Sequence, residues 1–164
     1  MPDPKHLVRT RQLQDSDFVL IRHPLNPRSE IRMHGLGDRV GMKRAHLSIT
    51  RVPPGKESFL PHAHAMEEEF VFVLEGRGVA LVGDVEIEVG PGDYLGFPTD
   101  GTVHHLRNVG ETDLTCLMGG ERSDTEVARF PSVGKVGVFQ RGKMAFYEEG
   151  AATVLPQEAW RAKE

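Results

Sequence analysis

Short apolar stretches that alternate with polar residues, separated by turns containing glycine and proline, are the feature that most constrains this fold. The clearest example is Val85–Val89, in which valine and isoleucine alternate with two glutamates. This period of two predicts a strand with its β-branched residues toward a core and its acids toward water. Gly83 and Asp84 suit a two-residue hairpin turn, which pairs this strand with residues 79–82.

Similar stretches recur along the chain, between turns that draw on 18 glycines and 11 prolines. Residues 69–74 are apolar at both parities, so we expect both faces of that strand to be covered. Strands spaced about 8–12 residues apart are typical of a β-sandwich or β-barrel, so the predicted fold class is all-β. The other main predicted strands are residues 18–22, 45–52, 94–97, 102–108 and 113–118.

The length of 164 residues suits a single domain with its own core. We expect residues 1–43 to form an N-terminal arm or outer strands, and residues 44–122 to form the barrel core. Residues 123–164 would complete the same domain with C-terminal strands and a tail. The strands there, at residues 126–130, 136–139 and 144–147, would pack on the outside, followed at residues 157–164 by a helical turn or a loose tail.

Composition and charge exclude several functions. With a formal net charge of −4 and scattered basic residues, the chain lacks the basic face of a nucleic-acid binder. The one cysteine, Cys116, excludes an internal disulfide and a cysteine-based zinc site, and it fits a reducing compartment. The first residues lack the apolar run of a signal peptide, and no stretch approaches the roughly 20 apolar residues of a membrane span. We therefore expect a cytoplasmic protein.

The segment that carries chemistry is residues 61–69, which read Pro-His-Ala-His-Ala-Met-Glu-Glu-Glu. On a strand, residues i and i+2 point to the same face, so His62 and His64 can direct both imidazoles to one point. An isolated His-x-His pair would more often be solvated or hydrogen-bonded. A nearby carboxylate and a third histidine from another strand would instead complete a site that suits Fe, Mn, Ni, Cu or Zn, but not Ca or Mg.

Two motifs in the chain resemble those of the cupin superfamily. The first, G-x5-H-x-H-x(3,4)-E-x6-G, has one additional residue after its first glycine, and it corresponds here to Gly55, His62, His64, Glu69 and Gly76. The second, G-x5-P-x-G-x2-H-x3-N, has one additional residue after its proline, and it corresponds to Gly92, Pro98, Gly101, His104 and Asn108. The run from Leu36 to Arg122 is similar to a mostly uncharacterised group of small single-domain bacterial cupins. Some members of that group carry the provisional name of sugar-phosphate isomerase.

The resemblance implies a fold and a ligand set. The fold is a double-stranded β-helix, or jelly-roll barrel, with extra N- and C-terminal strands. The implied metal ligands are His62, His64, Glu69 and His104. They would hold one divalent transition metal per chain, which we expect to be Zn, Mn, Fe or Ni, because ligand type alone does not identify it.

Two neighbouring glutamates could supply the carboxylate ligand. Glu69 opens the strand at residues 69–74, shares parity with Val71 and lies at the motif's spacing before Gly76. Glu68 is the alternative, since a spacing of three residues is tolerated in the motif, but its parity puts it on the other face.

A similar choice arises between His104 and His105, because adjacent strand residues point to opposite faces. Motif spacing and shared parity with Asn108 favour His104. His105 would then face away, into the packing between sheets or toward a subunit interface, and Asn108 would hold a turn. The remaining histidines lack a partner at ligand spacing and are interpreted as surface or core residues: His6, His23, His34 and His46.

The metal leaves three functions open. With four protein ligands, an octahedral metal keeps about two positions for substrate. Our first hypothesis is therefore an isomerase, lyase or dioxygenase that acts on a small hydroxy-carbonyl, sugar-like or carboxylate compound. A non-catalytic module that binds or senses such a compound is the second, and a barrel without chemistry is the third. No general base can be assigned, because Tyr94 and Glu67 only flank the motifs. A homodimer is the expected assembly.

Overall fold

The computed structural model describes residues 4–156. The predicted helical turn or tail at residues 157–164 lies outside them. One short helix, α1 (Leu36–Arg39), follows the second strand. The strands are β1 (Val19–Ile21), β2 (Ile31–Gly35), β3 (Ala45–Val52), β4 (Ala63–His64), β5 (Glu69–Glu75), β6 (Gly78–Val82), β7 (Val85–Val89), β8 (Tyr94–Phe97), β9 (His104–Asn108), β10 (Leu114–Glu121), β11 (Thr125–Phe130), β12 (Lys135–Gln140) and β13 (Lys143–Glu148). Single turns of 3-10 helix occur at Thr10–Gln12, Asp15–Asp17, Pro131–Val133 and Glu149–Ala151.

Antiparallel pairing joins these strands into three sheets. The largest has six strands in the order β1-β2-β3-β10-β5-β8, and a three-stranded sheet has the order β7-β6-β9. The third has four strands in the order β13-β12-β11-β4. This arrangement is a jelly-roll β-barrel, so the all-β fold class predicted from the strand spacing is confirmed.

The main core lies between the six-stranded and three-stranded sheets. Its largest fully buried apolar side chains come from β2, β3, β5 and β10: Ile31, Val52, Val73, Leu114 and Cys116, each with 0% of its surface exposed. The predicted turn role of Asn108 is confirmed beside Val52. Its side-chain amide donates to the carbonyl oxygens of Val52 and Thr112, each at 2.7 Å, and its oxygen accepts from the Gly110 N–H at 2.8 Å.

Strand β2 does not stand out from its sequence, yet it belongs to the main sheet. Its five residues alternate Ile31 and Met33 with Arg32 and His34, which is too short a pattern to distinguish from a loop. Pairing with β3 puts Ile31 into the core and Met33 against it. This N-terminal segment therefore contributes to the interior of the barrel.

Two expectations about strand faces are wrong. Of the apolar residues of β7 that were expected in the core, Val89 is buried at 5% exposure, but Val85 and Ile87 are 60% and 43% exposed on this edge strand. Strand β5 was expected to be covered on both faces, but only the face of Val71 and Val73 is buried, and Leu74 on the opposite face is 38% exposed. Phe70 on that outer face is only partly covered, by stacking on Tyr94.

Strand β11 was expected to pack on the outside, and this is also wrong. Glu126, Ala128 and Phe130 are all buried, whereas β12 and β13 carry most of the exposed residues of this sheet. Phe130 and Ala128 form a second core cluster with Leu60. The reason is that β11 pairs with the two-residue strand β4, which brings it against the His62–His64 segment.

In residues 4–156, no helix is both long enough and apolar enough to span a membrane.

The core environment of Cys116 yields a test of the packing. Burial raises the pKa of this thiol to about 12, so the reactive thiolate is nearly absent at pH 8. We expect an aromatic disulfide reagent to leave Cys116 unmodified in the native protein and to modify it fully in denaturant. Absorbance of the released thiol measures both. Rapid native modification would contradict the buried position of β10.

Candidate metal centre

His62 and His104 face one another across a backbone bridge. The His62 N–H donates to the His104 carbonyl at 3.1 Å, and the His104 N–H donates back at 2.8 Å. This is a hydrogen-bonded antiparallel pair, so the two side chains leave the backbone on the same face. Their ring centroids lie 4.4 Å apart. The first motif is thus joined to the second by pairing of residues 42 positions apart.

His64 and Glu69 reach the same place from two other strands. His64 pairs with Ala128 through β4, and Glu69 opens β5 between Phe97 and Gly120. The His64 Nε2 atom lies 3.2 Å from Glu69 Oε2, and the His104 Nε2 atom lies 3.5 Å from the same oxygen. One potential ligand atom from each of His62, His64, Glu69 and His104 lies within 4.8 Å of all the others.

The approach of β5 to β10 at this point requires a glycine. A Cβ atom on Gly120 would lie 2.2 Å from the Glu68 carbonyl oxygen, far inside van der Waals contact. Because Gly120 is the β10 partner of Glu69, any larger residue would displace the start of β5. The glycine therefore helps to position the carboxylate of Glu69 beside the histidines.

Each of the three histidines is held through its Nδ1 atom. The acceptors are the Leu60 carbonyl for His62 at 2.6 Å, the Glu126 carboxylate for His64 at 3.3 Å and the Thr102 carbonyl for His104 at 3.3 Å. A carbonyl or carboxylate oxygen only accepts, so Nδ1 carries the proton in all three rings. Each Nε2 atom is then left with an unprotonated lone pair, which is the form that binds a metal.

Within the described residues, the Nε2 atoms of His64 and His104 are buried and make no hydrogen bond. The Glu69 oxygen is close to both, but the geometry does not suit a hydrogen bond to either. Buried polar atoms without partners are rare in native proteins and call for an explanation. Lone pairs that converge on a common point, with a carboxylate beside them, fit a divalent transition metal. The four residues could therefore hold one.

The electrostatics of the cluster favour a neutral His62 beside an ionised Glu69. Burial, aided by the nearby His104 and His64, lowers the pKa of His62 to about 3. Burial opposes ionisation of Glu69, but the adjacent His104 and His64 bring its pKa below the ordinary value. Burial likewise opposes protonation of His64, yet Glu69 and Glu126 raise its pKa.

Aromatic rings hold two of the imidazoles in place. Phe97 stacks on His104 with ring centroids 4.0 Å apart and an interplanar angle of 7°. Phe130 stacks on His62 at 5.8 Å. With Nδ1 bonded on one edge and a ring against one face, neither imidazole can rotate without losing contacts.

Glu126 is a functional residue that the sequence analysis missed. It is 4% exposed, and its carboxylate accepts from the backbone N–H groups of Ala65 at 3.0 Å and Met66 at 3.2 Å as well as from His64. One signal was available, because Glu126 shares the parity of the apolar Ala128 and Phe130. An acid at a core-facing position predicts a buried partner. Glu126, Glu67 and His64 also form a second close group, but His64 already donates Nδ1 to Glu126.

The residues considered as alternative ligands lie outside the four-residue cluster. Glu68 is exposed, and its backbone N–H donates to Glu121 at 3.2 Å. His105 lies in the packing between elements, with Nε2 3.5 Å from the buried Glu57. Tyr94 is 64% exposed and does not line the cavity beside His62, Glu69 and His104.

Three residues of the cluster, His62, Glu69 and His104, line a cavity of about 310 Å³. His46 also lines this cavity, although it belongs to no group of potential metal ligands in the described residues. It shares the inward face of β3 with Ser48, Thr50 and Val52, which become steadily more buried away from the opening. The spacing of His46 from other histidines gave no signal, but its parity with these inward residues did. Glu67, Glu121 and Arg122 line the cavity as well.

The fold and the site together define a class of protein: jelly-roll β-barrels with a cluster of potential metal ligands. The cupin domain family matches residues 48–119, and a provisionally named sugar phosphate isomerase of Acidithiobacillus ferrooxidans has a similar structure. That structure is 31% identical, with a TM-score of 0.88, over 93% of this chain and 98% of that one. The chain therefore belongs to the cupin family.

Two further relatives extend this comparison. A sugar phosphate isomerase of the cupin superfamily from Silicibacter pomeroyi is 26% identical, with a TM-score of 0.75, over 88% of this chain and 96% of that one. An uncharacterised protein of Methanocaldococcus jannaschii is 35% identical over 77 residues, 47% of this chain. The chain covers 59% of that curated relative's length.

The role of Glu126 can be tested with Glu126→Gln. The amide keeps the shape of the side chain but removes the charge and one acceptor facing His64. Loss of such a partner typically weakens metal affinity by about 10–100-fold, and we expect a loss in that range. Competition with a chromophoric chelator measures it. Glu88→Gln, at an 84% exposed side chain, is the control, and equal affinity in the two variants would contradict the role.

Proposed function

We propose that this chain is a metal-dependent enzyme acting on a small hydroxy-carbonyl, sugar-like or carboxylate compound, of the isomerase, lyase or dioxygenase class. In this proposal His62, His64, Glu69 and His104 bind one divalent transition metal, namely Zn, Mn, Fe or Ni. The observation that carries it is the convergence of these four side chains, with their ligand atoms within 4.8 Å of one another, at a cavity that three of them line.

The donor set supports a catalytic rather than a purely structural metal. Three imidazoles and one carboxylate leave coordination positions open in five- or six-coordinate geometry, and the cavity lies in front of them. A metal held there supplies a Lewis acid for a bound carbonyl or carboxylate group. The protein's own part is to hold the ligands by their Nδ1 atoms and to exclude water with the surrounding apolar side chains.

Proton transfer would need a further side chain in the cavity. His46 and Glu121 line it and are not in the ligand set. We propose His46 as the first candidate, because an imidazole is the side chain whose ordinary pKa lies nearest to neutral pH. The sugar phosphate isomerase names of two structural relatives are consistent with proton-transfer chemistry.

A non-catalytic binding or sensing cupin is the second candidate. The observation that favours it is the apolar character of much of the cavity wall, for example Leu95 and Met118, which suits retention of a ligand without chemistry. The two candidates differ in turnover, whereas metal binding is common to both. The homodimer and the cytoplasmic location stay predictions of the sequence alone.

Metal content is the first test. We expect about one transition metal per chain by elemental analysis of the purified protein, and loss of that metal in the His62→Ala, His104→Ala double variant. Metal that binds only the folded state stabilises it, so chelator should lower the melting temperature of the natural protein alone. A His6→Ala, His23→Ala variant controls for histidines outside the cluster.

The absence of metal after loading, or equal metal content in both double variants, would contradict the proposal. Circular dichroism of the His62→Ala, His104→Ala variant is needed beside the metal analysis, since an unfolded variant would lose metal for another reason.

Turnover separates the two candidates. In D2O, a metal-loaded enzyme with a proton-transferring side chain should exchange the α-proton of small hydroxy-carbonyl compounds, which proton NMR follows directly. We expect His46→Gln to slow exchange by about 10²–10⁴-fold, the usual contribution of a general acid or base, with unchanged metal content. His6→Gln is the matched control. An unchanged rate in His46→Gln removes His46 from this role, and binding without exchange or O2 consumption would favour the binding module.

A further inference from the structure

The metal ligands and the apolar residues of the cavity lie on the same strands, two residues apart. Glu69 is followed on the inner face of β5 by Val71, and His104 is followed on the inner face of β9 by Leu106. Two residues along a strand correspond to about 6–7 Å. A compound that chelates the metal at the opening would therefore extend its remaining atoms along Val71 and Leu106.

Much of the remaining wall is apolar, with the hydroxyls of Ser48 and Ser58 as its neutral polar groups. The apolar lining comes from four strands of the main sheet in addition to β9: Met33, Val71, Leu95, Leu106 and Met118. Met118 pairs with Val71 across β10 and β5, so these two residues form a continuous surface. The cavity of about 310 Å³ is at the lower end of the roughly 300–1,000 Å³ usual for ligand pockets. Only a small compound fits.

The charges around the cavity disfavour a second anionic group. Of the described lining residues, only Arg122 is a lysine or arginine, and it already pairs with Asp38 at 2.7 Å. Glu67 and Glu121 lie in the same lining and would repel an anion. The remaining basic side chains there are histidines. A phosphate dianion would have no free cation to pair with.

The metal position itself suits one carboxylate. A divalent ion with the single carboxylate of Glu69 retains one positive charge, which a monoanionic chelator neutralises. We infer that the substrate or ligand of this site is a small unphosphorylated 2-oxo or 2-hydroxy acid with an aliphatic chain, which directs its chain along Val71, Leu106 and Met118. This inference rests on the proposed metal site and specifies its ligand.

Calorimetric titration of the zinc-loaded full chain tests the inference with four probes: 2-oxohexanoate, pyruvate, ribose and ribose 5-phosphate. The two oxo acids differ by three methylenes, so burial of the chain should make 2-oxohexanoate roughly 10–50-fold tighter than pyruvate. Ribose 5-phosphate should bind no better than ribose. Tighter binding of ribose 5-phosphate than of 2-oxohexanoate would overturn the inference.

Met118→Ala tests the direction of the chain. It should weaken 2-oxohexanoate by roughly 5–10-fold, as expected for loss of a buried side-chain contact, and leave pyruvate unchanged. Leu117→Ala is the control, because Leu117 has the opposite parity and does not line the cavity. Equal affinities in the two variants would overturn the assigned wall.

Metal analysis of every sample separates the two levels of failure. Chains that hold zinc but bind neither oxo acid overturn the ligand class and leave the metal site intact. Chains that hold no zinc overturn the proposed function itself.

Discussion

The bridge between His62 and His104 is the interaction on which the site depends. Two backbone hydrogen bonds, of 3.1 and 2.8 Å, connect the segment before β4 to the start of β9 and put both imidazoles on one face. With each Nδ1 bonded to a neighbouring carbonyl, each Nε2 atom keeps an unprotonated lone pair, and that of His104 lies 3.5 Å from Glu69. Burying such lone pairs without a partner is unfavourable in a low-dielectric interior. A divalent cation held by the converging lone pairs and the Glu69 carboxylate would resolve that conflict.

The two-residue period of the strands links this cluster to the cavity. Residues that alternate on the inner face change from charged or polar at the opening to apolar at the closed end, as β3 shows from His46 through Ser48 to Val52. On β5 the same direction runs from Glu69 to Val73. Because a barrel's strands are aligned side by side, the change from polar to apolar residues runs in the same direction along the barrel on both strands. One end of the barrel binds through polar atoms, and the other end packs against carbon.

Support for the cluster also comes from far along the chain. Glu126 lies on β11, 62 residues after His64, and holds both the His64 ring and the backbone that follows it. A buried carboxylate is stable only with such donors around it. The C-terminal sheet is therefore part of the site's framework, in addition to its outer strands. Its pairing with β4 explains why that two-residue strand forms.

The sequence by itself determined the barrel and the candidate ligands. Strand alternation and turn residues predict an all-β fold, and the spacing of His62, His64, Glu69 and His104 in two motifs is local enough to be recognised along the chain. Only the tertiary structure decided that Glu126 and His46 belong to the same site and that Val85 lies outside the core. The physical reason is that parity shows which residues share a face, whereas sheet packing decides which faces are covered.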